Sequence, residues 1–342
     1  MFQNLSSIDI QSDKKLQDNF LTAKFKEIDS TCNIYKGNFY LDSFNYFIIN
    51  ENYKTFKNLF SRDNYQNNEH YFTKNFFESF KSNIEKFKKF NNIFVLGSSA
   101  ANNYYSNLLQ FLPRIFFIKN NNIKIAIHRN SSNKFRDFIK IILDNKNINF
   151  SFVYLDDGFY NFSNSEMPQF LSLNESIKLL KNLIIANNAK LEDKKIYVTR
   201  EDSTYRRIIN EADIMPILRS KGYKVINPQL YNIDEQIRIF SQADKIIAPH
   251  GSNLSNIIFC KRGTEIYEIG PAFNNDYEKV FENRYKILAE INNLKYSRFL
   301  TDTVSVTNHS EIAKKYIDQK ILDNSNYYKN LIVKIKDIEN IV

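Results

Sequence analysis

Between Ile196 and Gly270 strand-like and helix-like segments alternate without a break, and few folds accommodate that rhythm. Ile196-Tyr197-Val198-Thr199 reads as a strand ending at Arg200. The next helix takes Asp213 as its expected N-cap, with Pro216 in the first turn, where a missing N–H does no harm. Ile214, Ile217 and Leu218 share one face of it, and Gly222 ends it. Lys224-Val225-Ile226 is the second strand. Asn232 and Glu235 make a capping-box pair before a helix with Ile233, Ile237 and Phe240 on one side. Ile246-Ile247-Ala248 is a third strand, and Ile266-Tyr267-Glu268-Ile269 a fourth, with a carboxylate near its carboxyl end. Strand–helix units in this succession predict a Rossmann-like unit.

The third strand runs through Pro249, His250 and Gly251 into Ser252-Asn253-Leu254-Ser255-Asn256, which opens an apolar-periodic segment closed by Gly263. A helix opening at a glycine offers unpaired backbone N–H groups, and at the carboxyl edge of a parallel sheet such a corner suits a phosphate. Gly251, Ser252 and Asn253 leave room for a ligand, and the last two add donors. Arg200 ends a strand at the same edge, and its planar guanidinium suits a diphosphate. Arg207 is the second arginine expected to bind ligand, ahead of Arg206. Glu268 could pair with a lysine, but the expected role is to accept two bonds from ribose hydroxyls. His250 is either a hydrogen-bonded core group or a ligand for diphosphate or sugar. Asn256 satisfies backbone at the helix start or touches ligand, while Asn210 and Glu211 brace the arginine-bearing loop.

These residues carry a resemblance. The order Arg200, Arg206-Arg207-x-x-Asn210-Glu211, Gln236, His250-Gly251-Ser252-x-Leu254-x-Asn256 and Glu268-Ile269 before Pro271 resembles glycosyltransferase family 61. Upstream, Asn103-Tyr104-Tyr105 and Leu112-Pro113-Arg114 resemble another segment of that family. Ser106 stands where the family usually has His, and Gln110 where it usually has Asp. An amide is no base at neutral pH. The resemblance implies a GT-B fold, two Rossmann-like domains facing across a cleft, and a sugar-nucleotide donor. It places Tyr105, Ser106, Gln110 and Arg114 on the acceptor side. With Gln110 unable to take a proton, Asp156, Asp157 and His128 are the remaining candidate bases.

The length of 342 residues allows two domains. The expected division is an amino-terminal, acceptor-side domain over 1–180, a nucleotide-sugar domain over 181–300, and a tail over 301–342. The boundary falls in the helix-like stretch Glu175–Leu191. In the first domain, Ile93–Leu96, Lys124–Ile127 and Phe152–Leu155 read as strands, with a helix over Phe135–Leu143. The first ninety residues, rich in Asn, Lys, Phe and Tyr, carry no motif. In the tail, Ala313, Ile317, Ile321 and Leu322 have helical spacing among many lysines. That helix either packs back on the first domain or lies on a membrane surface; apolar stripes on helices mostly face a core.

Several classes fall away. The apolar run Phe111–Ile118 is broken by Pro113 and Arg114, too short to span a membrane. The amino terminus has no signal pattern, and two cysteines, Cys32 and Cys260, fit a reducing compartment. No Asp-x-Asp motif or metal-ligand spacing is present, so neither metal nor other cofactor is expected. The net charge of +9 fits an anionic partner, yet the basic residues are interspersed with acidic ones, which argues against nucleic acid. The expectation is an inverting, metal-independent glycosyltransferase using a UDP-linked sugar. Its acceptor would be a glycan or lipid-linked glycan of the cell surface, such as capsule or lipopolysaccharide, on the cytoplasmic side, with possible peripheral membrane contact. The alternative is a non-catalytic relative that binds nucleotide or glycan within a synthesis complex.

Overall fold

A computed structural model describes residues 9–11, 20–25, 30–56, 59, 74–100, 102–183, 194–274, 276–306, 314 and 317–342. The chain is mixed α/β and divides into two units, Met1–Leu179 and Leu180–Val342. Residues 184–191 of the expected boundary stretch lie outside the described residues. No helix among the described residues is long and apolar enough to cross a membrane.

The first unit contains β1 (Asp9–Gln11), β2 (Phe20–Phe25), β3 (Ser30–Asp42), β4 (Phe47–Asn50), β5 (Lys54–Phe56), β6 (Lys88–Asn91), β7 (Ile93–Val95), β8 (Ile123–His128), β9 (Phe150–Leu155) and β10 (Phe159–Pro168). Its main sheet runs β2-β3-β10-β7-β8-β9. The last four of these pair in parallel, as a Rossmann-like half requires, but β2, β3 and β4 pair antiparallel. The unit is therefore a mixed sheet rather than a uniform Rossmann-like half. The reason lies in the aromatic early residues, which fit a pleated surface. Phe47, Tyr53 and Phe80 bury together, with Tyr40, Phe87 and Phe159 packed against them. Phe80 comes from helix α1 (Lys74–Asn83). Helix α2 (Asn133–Asn145) is capped by Ser132 and buries Phe135, Phe138, Ile139, Ile142 and Leu143.

The second unit holds β11 (Lys195–Val198), β12 (Tyr223–Ile226), β13 (Lys245–Pro249), β14 (Glu265–Pro271), β15 (Lys295–Val304) and β16 (Asn330–Ile332), in the order β12-β11-β13-β14-β15-β16. All neighbours are parallel except β15 with β16. The apolar runs Ile196–Val198 and Ile246–Ala248 are buried, as strands covered on both faces must be. Helix α3 spans Glu211–Ser220 with Asn210 as its N-cap, so Asp213 lies inside the first turn and Pro216 falls within the helix. The chain reverses at Gly222, whose φ of 78° suits glycine. Helix α4 (Ile233–Gln242) starts with the complete Asn232–Glu235 capping box.

The tail departs from expectation. Ala313 lies outside the described residues, and the rest is not one helix. It comprises α7 (Gln319–Asn324), numbered after α5 (Asp276–Glu282) and α6 (Arg284–Ile291), then a turn over Asn326–Tyr328, strand β16 and α8 (Ile335–Ile341). This tail adds β16 to the second unit's sheet. Leu331, Val333, Ile338 and Ile341 join Tyr197, Ile214 and Leu218 in one core. The apolar residues that decide this cluster in 331–341, beyond the Ile317–Leu322 stripe.

Candidate functional site

In the second unit β12 and β13 flank β11 on opposite sides, so the loops leaving β11 and β13 diverge. At such a switch point a crevice opens beyond the carboxyl ends of the strands. Arg200 follows β11 and His250-Gly251 follows β13. The two meet closely: a Cβ on Gly251 would lie 2.0 Å from Nη1 of Arg200. Gly251 has φ 166°, extended backbone open to any residue, so glycine is needed here only because a guanidinium occupies the side-chain space. The 3₁₀ helix Ser252–Phe259 starts next, and its first N–H groups have no partner within the helix.

Arg200 is 8 % exposed and has no carboxylate partner among the described residues. Nη2 donates to the Tyr205 carbonyl at 3.2 Å, and Nε is buried without a partner. Burial, and next the neighbouring Arg206, bring its pKa down to about 10. Arg206 is also buried. It sits at φ 57°, a left-handed conformation that costs an ordinary residue roughly 1–2 kcal/mol. Its N–H donates to the Lys329 carbonyl at 2.8 Å, which holds that turn. Nε donates to the His250 carbonyl at 2.9 Å and Nη1 to the Tyr327 carbonyl at 2.5 Å. Tyr327 and Tyr205 place their rings 3.8 and 4.8 Å from the guanidinium carbon. Two adjacent buried guanidiniums satisfied only by carbonyls and rings leave a net positive corner, which suits an anion.

His250 is enclosed by Phe273, Tyr285 and Tyr327, and its Nδ1 lies 2.6 Å from Glu268 Oε1. Glu268 is fully buried and also accepts from the Tyr296 hydroxyl at 2.6 Å, with Arg298 Nε at 3.4 Å. Burial pushes the Glu268 carboxyl up, but His250, Tyr296 and Arg298 outweigh it and hold the group below its usual value. Burial lowers His250 to about 4, more than the carboxylate raises it. The imidazole is thus neutral at pH 7 with its proton on Nδ1, which makes Nε2 an acceptor. An acceptor suits a sugar hydroxyl rather than a diphosphate oxygen.

This pair carries an acid limb of stability. A histidine with pKa about 4 folded and about 6.5 unfolded contributes stability above pH 6.5 that is lost as pH falls toward 4. Glu268, held below its usual value, adds to the loss at the acid end. Chemical denaturation should show stability falling by up to about 1.4 kcal/mol per pH unit across that window. In His250→Gln the limb should flatten; an unchanged slope would remove His250 as its source.

Glu268 therefore faces inward, and the ribose role expected for it is overturned, since its oxygens are spent on His250, Tyr296 and Arg298. Asn256 is likewise fully buried and donates to Gln236 Oε1 at 3.2 Å, bracing α4 rather than lining the crevice. Ser252 and Asn253 are half-exposed at the corner, and Arg207 is exposed. Glu211 accepts from the Tyr197 and Thr199 hydroxyls, and Asn210 exchanges two bonds with the Val333 backbone. Sequence reasoning ranked Arg206 behind Arg207 and missed Tyr296, Arg298 and Tyr327. Nothing in the doublet Arg206-Arg207 marks which guanidinium turns inward.

In the first unit, Tyr105, Ser106, Gln110 and Arg114 lie on an irregular helix, α over Tyr104–Ser106, π over Asn107–Phe111 and 3₁₀ over Leu112–Phe117. Pro113 supplies no N–H for a regular ladder. All four residues are buried. Arg114, fully buried, donates from Nη2 to the Val95 and Leu96 carbonyls and stacks 4.1 Å from the Phe170 ring centre. It fixes the end of β7 and is not on an acceptor-facing surface. His128 Nδ1 accepts from the Asn130 N–H at 3.1 Å, so Nε2 carries the proton toward Asp157 Oδ1 at 3.0 Å. Both ring nitrogens are engaged, which removes His128 as a base. Asp156 makes an exposed pair with Arg129 at 2.7 Å, which lowers its carboxyl pKa. Asp157 is exposed and oriented by His128.

The glycosyltransferase 61 family model matches residues 101–267, from just before the irregular helix to the third residue of β14. No curated protein matches the chain significantly.

Proposed function

The segment 101–267 belongs to glycosyltransferase family 61, and from that premise we propose that the protein transfers a sugar from a nucleotide donor to a glycan. The observation that carries this reading is Arg200, a buried cation with an unpartnered Nε beside Gly251 at the sheet's switch point. A departing nucleoside diphosphate supplies the missing negative charge. Arg200 and the first N–H groups of Ser252–Phe259 bind it without a divalent metal, and His250, buried beneath the corner, holds that corner through its bond with Glu268. Transfer proceeds with inversion: the acceptor oxygen attacks the anomeric carbon, the bond to the diphosphate breaks, and a general base takes the acceptor proton. The two units are the halves of a GT-B enzyme in this reading. The donor is UDP-linked, and the acceptor is a cell-surface glycan such as capsule or lipopolysaccharide, on the cytoplasmic side.

Thermal denaturation with UDP, GDP, CMP or ADP, each with and without magnesium, tests the donor site. One nucleotide at about 100 times its dissociation constant should add roughly 2.7 kcal/mol with or without the metal. No shift with any of the four would sink the reading. Gln110, buried where the family usually has an acid, favours a second one: a non-catalytic relative that binds nucleotide or glycan. Such a protein would show the same shift yet release no nucleotide from any sugar donor.

A further inference from the structure

The positive corner is not complete within residues 101–267. Tyr327 lies well beyond them, on the turn before β16, and is 8 % exposed. Its carbonyl and ring face hold Arg206, and its own N–H donates to Glu278 Oε1 at 3.2 Å and to Ser325 Oγ at 3.2 Å. Phe281 stacks on the other side, ring centres 4.3 Å apart, and Tyr328 meets it edge-on at 5.0 Å. The ring is thus fixed from both faces, and its position beside His250 is set by backbone as well as packing.

Three arginines and one buried carboxylate surround it. Arg200, Arg206 and Tyr205 approach from the loop after β11, His250 from the corner after β13, Arg284 and Tyr285 from α6, and Glu278 from α5. Burial would raise the phenol, but Arg206, Arg284 and Arg200 outweigh it and hold Tyr327 below the ordinary tyrosine value. A phenol in that field can donate one strong hydrogen bond to an anion, or ionise and take the anion's place.

We propose that Tyr327 is a further donor-site residue, whose hydroxyl donates to the diphosphate oxygen that Arg200 holds while its ring keeps Arg206 in place. This rests on the nucleotide-sugar reading of the same corner. It makes the segment Ser325–Val333, outside the family match, part of the ligand site rather than a mere cover for the core. The hydroxyl works as a donor only while protonated, so an anionic ligand and an ionised Tyr327 exclude each other.

Tyr327→Phe keeps the ring and the backbone bonds and removes only the hydroxyl. Calorimetric titration with inorganic pyrophosphate reads the diphosphate contact whatever the nucleobase, and UDP serves as the second probe. At about pH 7 the variant should bind both roughly tenfold more weakly, with its unfolding midpoint unchanged. As pH rises into the range where the phenol ionises, the wild-type advantage should shrink and then invert, because only the wild type acquires a phenolate beside the ligand. Arg200 loses its own proton near pH 10, so the two proteins are compared below that pH. Equal affinities with equal pH profiles would overturn the role of Tyr327 and leave the donor site standing. Failure of the wild type to bind either probe would overturn the donor reading and this proposal together.

Discussion

Glu268→Ala is expected to destabilise the second unit by about 3–5 kcal/mol, the usual cost of removing one partner from a buried charge pair. Glu268 is fully buried and serves three groups at once, His250, Tyr296 and Arg298. Without it Arg298 keeps its bond to the Pro271 carbonyl and a long approach to Glu282, while the Tyr296 hydroxyl and His250 Nδ1–H lose their acceptor. Glu268→Gln should be milder, because an amide oxygen can still accept one of those bonds. Urea denaturation of both variants measures the difference. A loss below about 1 kcal/mol for the alanine variant would mean that the three contacts do not hold the corner together.

Arg200→Met is expected to divide stability from function. The side chain is buried among Arg206, Tyr205, Tyr285 and Tyr327 with an unpartnered Nε, so in the empty protein it is a desolvated charge with little return. A methionine fills similar space without that penalty, and the fold should be as stable as before or more so. Diphosphate affinity should fall by at least about 100-fold, since charge-assisted and bidentate bonds are lost from a dry site. Denaturation and calorimetry on the same preparation give both numbers. A variant with lowered stability and intact affinity would reverse the assignment, making Arg200 a structural cation.

Local rules carried much of the second unit from sequence. The Asn232–Glu235 capping box, the reversal at Gly222 and the buried runs at Ile196 and Ile246 depend on near neighbours, and each stands where it was read. The helix at Glu211 shows the limit: Asp213 is a good cap in isolation, yet Asn210 takes the position because its side chain is tied to Val333 across the fold. The direction in which Glu268 faces was equally invisible, being set by Tyr296 and Arg298 on β15, a strand whose alternating burial gives no apolar run. Arg206 and Arg207 are adjacent and chemically alike. Only a left-handed turn held by the Lys329 carbonyl sends the first inward. In the first unit the parallel strands were legible, but the antiparallel layer rests on aromatic residues whose partners lie far along the chain.

The bond from Arg206 to the Tyr327 carbonyl spans 121 residues, and it has a consequence during synthesis. A ribosome adding about 5–20 residues per second needs roughly 6–24 seconds between those two positions. Through that interval β11, β13 and their helices can already pair, while Arg206 has neither its carbonyl nor its second tyrosine. The nascent unit thus carries a wet, unclamped guanidinium and an uncovered sheet face until the last strand arrives. Binding competence should appear on nascent chains only after residue 333 has emerged, as one late step rather than in proportion to length.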